Sequence, residues 1–137
     1  MYLLDTNICI YIIKNRPEQV ARMLKSHDPQ TIKISSITVA ELCYGIEKSQ
    51  KREENRIALA KFLSPFEIIN FDSDDAIRYG FIRSTLESRG IIIGPYDLQI
   101  ASIALNRSYI LVTNNEKEFS RVTDLKLENW TLTTAQE

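Results

Sequence analysis

Four short apolar runs punctuate the chain: Tyr2 to Leu4, Ile32 to Ile34, Glu67 to Phe71 and Tyr109 to Thr113. A fifth β-like run, WTLTT, begins at Trp130. The runs are apolar throughout rather than alternating, the pattern of strands buried on both faces. Between them the apolar positions recur with helical spacing, over Ile37 to Lys48, Glu53 to Leu63, Ser73 to Ser88 and Leu98 to Arg107. The first run passes directly into a helical stretch of its own. Strands alternating with helices of ten or more residues require crossover connections, hence parallel pairing with helices on both sides. The pattern predicts a three-layer α/β/α sandwich around a mainly parallel central sheet. With four Gly, four Pro and no linker or repeat, residues 1–137 read as a single domain.

Composition narrows the classes. Of 137 residues, 44% are apolar and 26% charged, enough apolar surface for a core. Lys and Arg number 17 against 18 acids, a net charge of −1, which excludes a polybasic nucleic-acid arm and makes any phosphate contact local. Cys9 and Cys43 have no C-x-x-C spacing, so neither a disulfide framework nor a zinc ribbon is expected, and a reducing cytoplasm suits the chain. The N-terminal stretch MYLLDTNICIYII lacks a basic leader and carries Asp5 and Asn7. It reads as a strand entering a helix, not as a signal peptide, and it is too short to span a bilayer.

In parallel sheets ligands collect beyond the carboxyl ends of the strands, and this chain places acids there. Asp5 follows the first run, Glu41 lies early in the helix after the second, and Asp97 opens the helix after IIIGPYD. Asn114, Asn115, Glu116 and Glu118 follow the fourth run. Each acid also has a local explanation. Asp5 is a good helix N-cap, Thr38 to Glu41 matches a capping box, and Asp97 behind Pro95 sits at the positive end of a helix dipole. Capping does not require the acids to meet, whereas convergence has a clear electrostatic consequence. Two carboxylates 4 Å apart repel by roughly 4 kcal/mol at an effective dielectric near 20, so one protonates unless a cation lies between them. Oxygen-only donors favour Mg²⁺ or Mn²⁺ over zinc, and such an ion supports phosphodiester hydrolysis.

Leu4-Asp5-Thr6-Asn7, Ala40-Glu41-Leu42 with Gly45, Gly90-x-x-Ile93-Gly94-Pro95-Tyr96-Asp97-x-x-Ile100-Ala101, and Leu111-Val112-Thr113-Asn114-Asn115 with Glu118-Phe119 occur in order. Together they resemble a PIN domain, and within that family the VapC-type toxins of toxin–antitoxin modules. The resemblance covers essentially the whole chain and extends to Tyr79-Gly80, Arg83, Leu86, Val122, Leu125 and Trp130. It implies a Mg²⁺-dependent endoribonuclease with Asp5 and Asp97 as principal metal ligands and Glu41 as a third acid. The family often carries an acid where Asn115 stands here, and Glu118 is the natural replacement. Thr6 and Thr113 would support the carboxylates, while Asn7 or Asn114 would orient a ligand. The resemblance further implies a structured RNA substrate, first the anticodon stem-loop of initiator tRNA, a VapB-type antitoxin and a homodimer.

Other features carry less. The run Lys48 to Arg56, KSQKREENR, reads as a solvated helix face laced with i,i+4 charges, or as phosphate contacts. Gly80 inside a helix suggests a close helix contact, and Arg83 is available to orient a pocket acid. His27 stands alone and reads as neither ligand nor base; Cys9 and Cys43 read as core residues, and Trp130 as a core or sheet-edge aromatic. Ile8, Ile10, Tyr11, Ile12, Ile13, Val20, Met23 and Leu24 either fill the core or leave a groove for a partner. Two other functions compete. An aspartyl phosphatase or receiver needs a second Asp where Asn7 stands, or a fixed Lys. An inactive PIN-like scaffold finds its support in Asn115.

Overall fold

The computed structural model describes residues 1–132. Strands β1 (Tyr2–Leu4), β2 (Ile32–Ser35), β3 (Glu67–Ile69), β4 (Ile110–Val112) and β5 (Leu127–Glu128) form one sheet, in the order β3-β2-β1-β4-β5. Every pairing is parallel; Leu4 stands opposite Ile34 on one side and Val112 on the other. Helices α1 (Thr6–Lys14), α2 (Glu18–Lys25), α3 (Ser36–Lys48), α4 (Arg52–Leu63), α5 (Ser73–Ser88), α6 (Pro95–Arg107) and α7 (Glu116–Phe119) fill the connections. This is the three-layer sandwich that the hydrophobic pattern predicts.

Successive strand side chains point to opposite faces, and β1 feeds two cores accordingly. Leu3 and Leu111 join Ile82, Leu86, Leu98, Ile103 and Phe119 under α5 and α6. Leu4 and Val112 join Ile8, Val20, Ile34, Leu42 and Leu59 under α1 to α4. Leu3, Leu4, Leu111 and Val112 have no solvent exposure, and each such side chain contributes about 1.5–3 kcal/mol of burial free energy.

The strand order sets the position of the site. The chain moves outward from β1 to β3 on one side, then returns to lay β4 and β5 on the other. Connections after β1 and β4 therefore diverge, and a crevice opens beyond their carboxyl ends at this switch point. The Asp5 amide donates to Val112 O at 3.0 Å, extending the β1–β4 pairing up to this edge.

Two expectations are corrected, and the core-filling alternative for the apolar residues of α1 and α2 is borne out. The last strand is Leu127–Glu128, not a run from Trp130. Trp130 instead turns into the core, 2% exposed, stacking on His27 with ring centroids 4.9 Å apart, and its indole N–H donates to Glu128; the last residues of the expected run lie outside the described residues. The segment Lys48 to Arg56 is not one helix face: α3 ends at Lys48, α4 starts at Arg52, and Arg56 pairs with Glu47 of α3 at 2.7 Å as well as with Glu53. The apolar residues of α1 and α2 pack against the sheet, fully or partly buried, because the crossover from β1 to β2 lays both helices across it.

Candidate active site

Each acid is delivered by a different element. Asp5 ends β1 and caps α1, its Oδ1 accepting from the Ile8 amide at 2.9 Å. The capping reading of Asp5 is thus correct, and so is its placement at the switch point. Glu41 is not part of a capping box. The N-cap of α3 is Ser35, whose Oγ accepts from the Thr38 amide at 3.1 Å. Helix α3 starts earlier than the Thr-x-x-Glu spacing implies, so Glu41 lies in the second turn. There its Oε1 accepts a 2.7 Å hydrogen bond from the Thr6 hydroxyl, which also lies 3.1 Å from Thr38 Oγ1. Asp97 is the third residue of α6, after Gly94 as N-cap and Pro95, and no side chain caps that helix. Glu118 stands on α7, its Oε1 buried without a hydrogen-bond partner.

The electrostatics show that these groups share one environment. The pKa of Asp5 is pushed up to about 6, chiefly by burial and further by the charge of Glu41. The Thr113 hydroxyl and the amides of Ile8 and Asn7 pull against that rise. Asp97 is pushed up to about 7, first by burial, then by donating its carboxyl proton to Glu118 and by the charge of Glu118, then by the charges of Glu41 and Asp5. Glu118, Glu41 and Asp5 therefore all press on Asp97. Two carboxyl groups within hydrogen-bonding reach hold either a shared proton or a cation, and the orphaned Glu118 Oε1 calls for the same.

Residues 2–125 match the family described as PIN domain. The chain belongs to the PIN-domain family. It is 49% identical over 131 residues to ribonuclease VapC2 of Rickettsia felis, covering 95% of this chain and 98% of that one. It is 41% identical over 129 residues to the tRNA(fMet)-specific endonuclease VapC of Salmonella typhimurium, covering 94% and 97%. Among solved structures, the Rickettsia felis VapBC2 complex bound to a promoter DNA fragment superposes with a TM-score of 0.89 at 48% identity, over 94% of this chain and 98% of that one.

Within this PIN domain the remaining candidates divide. Thr113 is fully buried, accepts from the Asn115 amide at 3.0 Å and faces Asp5. Asn114 turns away, donating to Tyr11 Oη at 2.7 Å. Asn115 is exposed at the start of α7 and makes no side-chain cap; Glu118, not Asn115, stands against Asp97. Asn7 contributes its amide to Asp5 while its side chain is exposed.

Arg83 does not orient a pocket acid, because it is held on the surface of α5 by Glu87 at 2.9 Å and Tyr79 Oη at 2.8 Å. Cys43 is exposed rather than core, since it falls on the outer face of α3. Gly80 has no neighbour within 4 Å of where a Cβ would stand, so no helix packs closely on it. The fixed lysine of a receiver is also missing from this edge: the buried Lys33 is engaged by Glu67 at 2.8 Å and by Gln30 O. Tyr44 and Tyr96, the latter quoted above only as part of the motif around Asp97, flank Glu41 and Asp97 and are 65% and 60% exposed. Their signal was two aromatic residues each within one helical turn of a site acid.

The donor set fits a hard divalent cation. It consists of carboxylates, hydroxyls and amides without His or Cys thiolate, the preference of Mg²⁺ and Mn²⁺. Among the described residues no three acids are drawn tightly enough to enclose an ion by themselves. Mg²⁺ does not require that, since it is held by one or two carboxylates and keeps several waters.

Proposed function

We propose that the protein is an endoribonuclease toxin, dependent on Mg²⁺ or Mn²⁺, that hydrolyses phosphodiester bonds in structured RNA. The first candidate substrate is the anticodon stem-loop of initiator tRNA, in line with the printed specificity of the Salmonella typhimurium relative. The observation that carries the reading is the joint upward push on Asp5 and Asp97 by two further acids at the switch point. Without a cation the repulsion is relieved only by keeping a proton; a bound divalent cation relieves it with all the carboxylates ionised.

In this reading Asp5 and Asp97 would hold the metal as principal ligands, with Glu41 a third acid binding it directly or through water. When bound, it stabilises charge growing on the phosphoryl oxygens and lowers the pKa of a water. The protein's own groups do the rest. Thr6 fixes the Glu41 carboxylate by its 2.7 Å hydrogen bond, and Thr113 fixes Asp5. Glu118, with a buried and unbonded Oε1, is placed to accept a proton from the attacking water. Asn115 favours an inactive scaffold only if no other acid stands at this edge, and Glu118 does.

The partner of the toxin is a VapB-type antitoxin, as in the VapBC complexes of the relatives. A homodimer is also expected, for which Ile77 and Phe81 on α5 offer uncovered apolar surface. The site of action is the cytoplasm; among the described residues no helix is long and apolar enough to cross a membrane. Mapping RNA 5′ ends after induction of the chain without its antitoxin tests the reading. New ends within the anticodon loop of initiator tRNA support it; growth arrest with all transfer and ribosomal RNAs intact overturns it.

A further inference from the structure

Beside the acids, α3 and α6 leave an open cleft of about 470 Å³ lined by Ile37, Ala40, Glu41, Tyr44 and Tyr96. Glu41 belongs both to this cleft and to the acidic site, so the two are continuous. Tyr44 lies one turn beyond Glu41 on α3, and Tyr96 directly precedes Asp97 at the start of α6. Both rings are exposed, at 65% and 60%. Ile37, Glu41, Tyr44 and Lys48 recur at three- and four-residue intervals, which aligns them on one face of α3. The Lys48 ammonium stands 5.0 Å above the Tyr44 ring. From Glu41 to Lys48 the helix advances about 10 Å, a span of one to two nucleotides of extended strand.

A nuclease with a net charge of −1 and a carboxylate site has little electrostatic attraction for RNA, since such affinity comes from neutralising phosphates with Lys and Arg. Aromatic stacking supplies affinity that does not depend on charge and is the usual way of gripping unpaired bases. We propose that Tyr44 and Tyr96 form a stacking slot for one unpaired base of the RNA substrate next to the scissile phosphate, with Lys48 holding a phosphate of the same strand. The proposal rests on the ribonuclease reading above and assigns its substrate-gripping surface: the slot selects looped over fully paired RNA, because only an unstacked base enters it.

The test uses the full chain and a hairpin with the sequence of the initiator-tRNA anticodon stem-loop, intact or with single loop nucleotides made abasic. Tyr44→Ala and Tyr96→Ala each lower kcat/KM about 5- to 100-fold, mostly through KM, while Tyr44→Phe retains the ring and stays near wild type. One abasic position lowers kcat/KM in the wild-type protein and costs less in Tyr44→Ala, as for two changes that share a contact. A hairpin carrying 2-aminopurine at that position reports stacking by quenching, independently of cleavage. Quenching without cleavage overturns the nuclease reading and leaves the slot intact. Cleavage by the wild type with no response to either Ala variant or to any abasic position overturns the slot. Loss of antitoxin binding in the Ala variants with unchanged RNA kinetics overturns it too and gives the cleft to the antitoxin.

Discussion

The hydroxyl of Thr6 donates to Glu41 Oε1 across 2.7 Å, tying the first residue of α1 to the second turn of α3. This bond holds one acid of the site in place from the residue next to another, Asp5. Thr6→Val keeps the β-branched shape and removes the donor. Cleavage is expected to fall about 10- to 100-fold, the usual effect of losing a partner that orients a metal-site carboxylate, while thermal unfolding moves little. Initial rates on the hairpin RNA, with a melting curve as control, check it.

Asp5 has two duties that one substitution separates. In Asp5→Asn the amide oxygen still accepts from the Ile8 amide, because Asn is as good an N-cap as Asp, so folding survives. The charge is lost, and with it cleavage, by a factor on the order of 10³. Retained activity in a folded Asp5→Asn protein reduces Asp5 to a cap.

Stability of the cation-free protein is expected to fall as pH rises. Asp5 and Asp97 have folded-state values raised to about 6 and about 7, so between about pH 4 and 7 the unfolded chain has released protons that the folded chain still holds. With fewer protons bound in the unfolded state, unfolding free energy decreases with pH across that window. For Asp5 alone the loss is on the order of 3 kcal/mol. Mg²⁺ is expected to raise the melting temperature at pH 8 much more than at pH 5. Melting scans at both pH values, with and without Mg²⁺, measure this.

Much of the site was visible in the sequence because its parts obey local rules. LLDTN announces a buried strand running into an Asp-capped helix, and GPYD announces a helix start with an acid in its first turn. Glu41 was placed correctly but partnered wrongly, since T-x-x-E is satisfied by a capping box only if the helix begins at Thr38. Ser35 begins it three residues sooner, and Thr6, distant in sequence, takes the carboxylate. The motif alone names Glu118 as the replacement for Asn115, and Glu118 is the acid that presses on Asp97; its buried Oε1 could not be read from the sequence. Arg83 and Cys43 misled for a related reason: type and spacing place a residue on a helix, but only the packing of that helix decides which side is outward.

Glu118→Gln preserves shape and removes the charge that presses on Asp97. The Asp97 pKa is then expected to fall, moving the acid limb of the pH–rate profile to lower pH while kcat drops. Asn115→Asp in the same background is expected not to restore activity, because position 115 is exposed to solvent while Glu118 is the acid that acts on Asp97. A pH–rate profile of the two variants decides between positions 115 and 118.

The other buried acid is paired at the end of α6 opposite Asp97. Asp75 has no exposure and is held by the Arg107 guanidinium at 2.9 Å and Asn106 at 2.9 Å. Burial pushes its pKa up, but Arg107, the Asp72 amide and Asn106 outweigh it and bring it below the usual carboxylate range. Arg107→Ala strands that charge. It is expected to cost about 3 kcal/mol, the low end for a broken buried pair, because the guanidinium side chain is 27% exposed. Urea unfolding reads the loss, while cleavage per folded molecule stays unchanged.

Glu118, Glu41 and Asp5, each from a separate element, all press on Asp97, and a bound positive ion would relieve that crowding. Carboxyl-carbon NMR titration of Asp5 and Asp97, in the presence and absence of Mg²⁺, observes that relief directly. Midpoints near 6 and 7 without the ion, both falling to below about 5 with it, are the predicted result. Ordinary aspartate midpoints without Mg²⁺, or raised midpoints that saturating Mg²⁺ leaves in place, would contradict it.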